Sequence, residues 1–86
     1  MISYMKQVSL CDSIRETVKR TFAQSTDVSL RMKTGSIPST DSILRAISIS
    51  PHIEDEQTLK QAIVEHTLNA LRLTEDQKGD VRSALA

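Results

Sequence analysis

The chain has 86 residues, with eleven basic and eleven acidic side chains and a net charge of zero. That length makes one domain, near the lower end of what folds without metals or disulfides. Leu, Ile, Val and Phe supply 22 residues, about a quarter of the chain, which excludes disorder as the default state.

With one Tyr, one Phe and no Trp, the expected core is aliphatic and thin, so association between copies is a natural source of added stability. The single Cys11 excludes an internal disulfide and fits a reducing compartment. No segment approaches the roughly 18–20 continuous apolar residues that span a bilayer. Met1 to Val8 lacks the basic patch and apolar run of a signal peptide. The expected setting is cytoplasmic, with no membrane partner. Charge is uneven along the chain: residues 1–33 carry six basic and three acidic groups, and residues 34–86 carry five and eight, so the halves stand at +3 and −3. Such an imbalance suits acidic–basic contacts between subunits, or an anionic partner for the first half.

Residues 1–8 are expected to be poorly ordered. Residues 9–24 read as a helix: Leu10, Ile14, Val18 and Phe22 recur every four residues, and Asp12, Glu16, Lys19 and Arg20 fall on the other side. Ser9 is the expected cap. Residues 25–40 change character, holding several Ser and Thr with Gly35 and Pro38, and read as a connecting segment. Inside it, Val28, Leu30 and Met32 alternate with Ser29, Arg31 and Lys33, the period of a short strand. No second alternating run exists in the chain to pair with it, so such a strand requires the same segment of another subunit, and an irregular extended loop is the alternative.

Ser39, Thr40 and Asp41 offer caps for a short helix through Ile49, with Ile43, Leu44 and Ile47 on one face. Ser50-Pro51 ends it. Glu54, Asp55 and Glu56 then put negative charge where a helix dipole favours it. The helix they open, about 54–73, shows Leu59, Ala62, Ile63, Ala70 and Leu73 on one side and Val64, Leu68 and Leu71 as a second stripe roughly opposite. An ordinary surface helix has one apolar face, so this one is either central in its own fold or shared with a partner. Thr74 to Gln77 forms a capping box for a short last helix carrying Val81 and Leu85, weakened by Gly79.

The catalytic inventory is nearly empty. Neither glycine sits in a phosphate-cradling motif. His52 and His66 lie fourteen residues apart with no Cys pair or HExxH arrangement beside them, so no metal or cofactor is expected. Cys11 falls on the apolar side of its helix and reads as a buried, inert thiol. His66 falls on the first apolar face of the long helix and reads as a packed ring.

The expected fold is therefore all-α: a single domain of three to four helices over residues 1–86, with a long helix at about 54–73, one candidate strand near 28–33, and a dimeric state. The expected function is that of a non-enzymatic regulatory or adaptor module without a small-molecule substrate. It would dimerise or bind another protein through Val64, Leu68 and Leu71. A second expectation comes from the order strand, helix, helix over residues 28–72, which resembles the ribbon-helix-helix DNA-binding regulators. That resemblance implies paired strands from two subunits, with Ser29, Arg31 and Lys33 directed into the major groove. Two features depart from the pattern. Glu54, Asp55 and Glu56 would repel a phosphate at the second helix, and Thr34 to Pro38 lengthens the strand-to-helix connection.

Overall fold

A computed structural model describes residues 2–48 and 55–85. Among them there are five α-helices and no strand: α1 Tyr4–Gln24, α2 Val28–Met32, α3 Thr40–Ile47, α4 Glu56–Ala70 and α5 Glu75–Leu85, with a 3-10 turn at Thr34–Ser36 between α2 and α3. The expected Ile49 end of the third helix, the Ser50-Pro51 stop, His52 and Glu54 lie outside the described residues.

Helix α1 is the axis of the fold and touches each of the other four. It begins at Tyr4, five residues before the expected Ser9 cap, because the Ser3 hydroxyl accepts the Lys6 backbone N–H at 3.2 Å. Residues 4–8 are therefore helical. Apolar periodicity begins only near Leu10, which is why the sequence pattern alone starts the helix late. Cys11, Ile14, Val18 and Phe22 form its buried face. Filling each such position with an aliphatic or aromatic side chain contributes about 1.5–3 kcal/mol of burial.

The segment expected to be a strand or extended loop forms helix α2. The Asp27 carboxylate accepts the Ser29 backbone N–H at 2.9 Å and caps it, while Leu30 alone is buried. In a helix, Val28 and Met32 are one turn apart and share an exposed flank, while Leu30 between them points to the other side and is buried. With no strand among the described residues to satisfy an extended backbone, local hydrogen bonding prevails.

Helix α3 starts where the Ser39 hydroxyl accepts the Ser42 N–H, and it buries Ile43, Leu44 and Ile47, the face expected of it. Two side chains of α1 tie its start in place. Arg15 donates through Nε to the Pro38 carbonyl at 2.7 Å and through Nη1 to Thr40 Oγ1 at 3.3 Å. The Thr40 hydroxyl in turn donates to Asp12.

Helix α4 resolves the question posed by its two stripes. Its buried residues are Leu59, Ile63, Val64, Thr67 and Leu68, followed by Leu71 and Leu73 just past its end. At 100° per residue these helical positions sweep one continuous half-turn from Leu59 to Leu68, and Thr67 lies in the middle of it. Thr67 is fully buried because its hydroxyl donates to the Ile63 carbonyl at 2.7 Å, one turn back. A threonine so bonded shows its neighbours a methyl group, and thereby joins the two stripes into one wide face. The opposite wedge of Thr58, Gln61, Glu65, Asn69 and Arg72 is exposed, as the sequence implies.

Helix α4 also ends earlier than expected. Arg72 takes the left-handed conformation with φ 54°, turning the chain after Leu71. Lys33 Nζ donates to the Leu71 carbonyl at 3.1 Å and to that of Arg72 at 3.4 Å, covering carbonyls that the helix leaves without partners. The expected capping box then forms: the Thr74 N–H meets Gln77 Oε1 at 3.1 Å and the Gln77 N–H meets Thr74 Oγ1 at 3.2 Å. Helix α5 follows and buries Val81 against the common core.

Candidate functional site

Val64, Leu68 and Leu71, expected to meet another chain, are 9%, 0% and 5% exposed in the single chain. They belong to the same apolar cluster as Phe22, Ile63 and Val81. Their apolar surface is covered internally, so it no longer requires a partner. Val64, the most exposed of the three, lines a groove of about 370 Å³ between α4 and α5. Arg82 spans that groove, donating to both Glu65 carboxylate oxygens at 2.9 Å. The pair holds the Glu65 carboxyl below its ordinary value and satisfies the charges that a polar ligand would need.

The residues of the nucleic-acid expectation do not act as a unit either. Ser29 and Arg31 are exposed, but successive alternate residues of a helix point about 200° apart, so Arg31 faces away from Ser29 and Lys33. The Lys33 ammonium is engaged by the carbonyls at the end of α4. Asp27, next to them, is held below its ordinary value by the Gln77 amide, with the Ser29 N–H adding to the effect.

Cys11 is fully buried, and burial pushes its thiol upward, with Thr40 and Arg15 pulling the other way. A thiol in that setting is protonated at neutral pH, unlike a nucleophilic cysteine. His66 is half-buried on the flank of α4's apolar face. Among the described residues, no group of three His, Cys, Asp or Glu side chains is placed to hold a metal ion. Among those residues, too, no helix is long and apolar enough to cross a membrane.

The surface that remains lies along the first turns of α1. Tyr4 and Met5 are 64% and 80% exposed, although both are large apolar side chains. Together with Val8, Ser9 and Asp12 of α1, and Thr40 and Asp41 of α3, they line a trough of about 660 Å³ between the two helices. Tyr4 also borders a second depression, which continues along α3 past Asp41 to Leu44 and Arg45. Scattered apolar residues on a surface are ordinary, whereas adjacent ones lining a concavity mark a place where another molecule can be held. The Asp12–Thr40–Arg15 hydrogen bonds fix the spacing of α1 and α3, so the trough is preformed.

Sequence periodicity could not reveal this surface, because Tyr4 and Met5 precede the regular apolar repeat. Their signal is compositional: the only Tyr of the chain stands beside a Met, with no helix predicted to cover them. No protein-family model, curated protein or solved structure matches the chain. The functional reading therefore rests on its own geometry.

Proposed function

We propose that this chain is a non-enzymatic regulatory or adaptor module that works by protein–protein contact, through the α1–α3 trough rather than through α4. The observation that carries the reading is the pair of exposed apolar side chains, Tyr4 and Met5, at the mouth of a preformed concavity. Aromatic and methionine side chains are the types most enriched in the centres of protein interfaces. The trough also carries the carboxylates of Asp12 and Asp41, so a partner with an apolar strip and a basic group matches it. A cytoplasmic setting accords with the reading, since Cys11 is a free, buried thiol.

The test uses the tagged full chain and the variant Tyr4→Glu/Met5→Asp, each for affinity purification with and without nuclease. Both substitutions fall in the first turn of α1, where acidic residues suit the helix dipole, so the fold is retained. A protein recovered after nuclease treatment, and rebinding as a purified component at least tenfold more weakly to the variant, supports the reading. Equal binding to both forms overturns it. Recovery that disappears with nuclease would instead favour the nucleic-acid expectation.

A further inference from the structure

Among the described residues, four large apolar side chains stand out from the surface, and they fall into two pairs. Tyr4 and Met5 open α1; Val28 and Met32, 57% and 78% exposed, sit on α2. Helix α2 starts after a three-residue connection from the end of α1 and packs on it. Helix α1 itself rises about 30 Å, in a molecule measuring 39 × 20 × 20 Å. The two pairs therefore lie toward opposite ends of the long axis.

They also differ in shape and sign. The Tyr4–Met5 end is a trough whose lining includes the carboxylates of Asp12 and Asp41 and, among the described residues, no Lys or Arg, although Arg15 reaches the Thr40 hydroxyl at its edge. The α2 end is a ridge: Val28 and Met32 are one helical turn apart on its outer flank, and the exposed Arg31 borders them. The neighbouring Asp27 carboxylate is engaged by the Ser29 N–H and the Gln77 amide. An apolar trough carrying two carboxylates at one end, and an apolar ridge bordered by an arginine at the other, are complementary surfaces on a single chain.

We infer that the trough holds a second copy of this chain, bound head to tail. Val28 and Met32 of one copy pack against Tyr4, Met5 and Val8 of the next, and Arg31 of the first approaches Asp12 and Asp41 of the second. The inference rests on the trough's being a protein-binding surface, and adds the identity of an occupant. The contact joins two different surfaces, so each copy keeps one free trough and one free ridge, and association propagates rather than closing at a two-fold dimer. A five-residue helix buries little area, which places the contact in the weak, transient class, visible at roughly 0.1–1 mM protein.

The experiment is a sedimentation-equilibrium concentration series on wild type, Met5→Asp, Val28→Asp and an equimolar mixture of the two variants. Both positions are exposed and lie in the first turn of their helices, where an aspartate suits the dipole, and circular dichroism confirms equal helicity. The wild-type average mass is expected to climb past twice the 9.6 kDa monomer with concentration, and to fall back as salt is raised. Each variant alone stays at the monomer mass. The mixture reaches the dimer mass and stops there, because one intact ridge meets one intact trough and the opposite junction sets aspartate against aspartate.

A wild type that remains monomeric to about 1 mM overturns the inference. So does a wild-type dimer accompanied by a mixture that stays monomeric, the signature of a two-fold contact. In either case, a foreign protein that loses binding to the Tyr4→Glu/Met5→Asp variant still upholds the module reading, so the two failures are distinct.

Discussion

Substituting Leu68 and Ala70 separately tests the single wide face of α4. Sequence periodicity puts Ala70 on the inward stripe and Leu68 on the outward one, whereas in the fold Ala70 is exposed and Leu68 is fully buried. Leu68→Ala removes three carbon centres at about 0.8 kcal/mol each, or about 2.4 kcal/mol of transfer free energy. The cavity left behind adds about 24 cal/mol per Å³ that the neighbours fail to fill, which brings the expected loss to about 3–5 kcal/mol. A domain of this length holds about 4–13 kcal/mol in all, so the variant should lie close to unfolding. Ala70→Lys, on the exposed flank, should change stability by no more than about 0.5 kcal/mol. Urea denaturation followed by circular dichroism at 222 nm measures both. If Leu68 faced another chain instead, the wild-type midpoint would rise with protein concentration between about 2 and 50 µM. Such a rise, or a Leu68→Ala loss under about 1 kcal/mol, would refute the internal assignment.

Three further predictions concern the backbone and the acid range. Gly79 lies inside α5 with open space where a Cβ would stand, so Gly79→Ala should stabilise the chain by about 0.5–1 kcal/mol in the same urea assay. Arg72 holds a left-handed conformation that costs a non-glycine residue about 1–2 kcal/mol, and its side chain is exposed; Arg72→Gly should raise the thermal midpoint, and a lowered midpoint would show that the arginine side chain contributes more than its backbone costs. The carboxyls of Asp27, Asp55 and Glu65 are all held below their ordinary values, by Gln77, by the Thr58 N–H, and by Arg82 respectively. Depressed folded-state values mean that their contribution is present above the ordinary carboxylate range, and is lost as pH falls through that range toward the folded values. The thermal midpoint should accordingly drop as pH is lowered from about 5 to 2, and Asp55→Asn should flatten part of that drop.

Much of the architecture is legible in the amino acids because it is local. The spacing of Ile14, Val18 and Phe22, the Ser39 cap with Ile43, Leu44 and Ile47 behind it, and the Thr74–Gln77 box each specify a helix through contacts a few residues apart. The exposed wedge of α4 is equally plain. The wide face of α4 was half legible: its two edges show in the pattern, but the Thr67 hydroxyl that joins them counts as polar until its bond to Ile63 is seen.

Tertiary structure decided what periodicity cannot carry. The α4 helix stops where Arg72 turns and Lys33, distant in sequence, covers its last carbonyls. Residues 28–32 form a helix because none of the described residues offers a strand beside them and Asp27 offers a cap. Periodicity records which residues share a face, whereas burial depends on which distant element packs against that face. On this account Val64, Leu68 and Leu71, apolar and apparently spare, lie in the interior, while Tyr4 and Met5 remain at the surface.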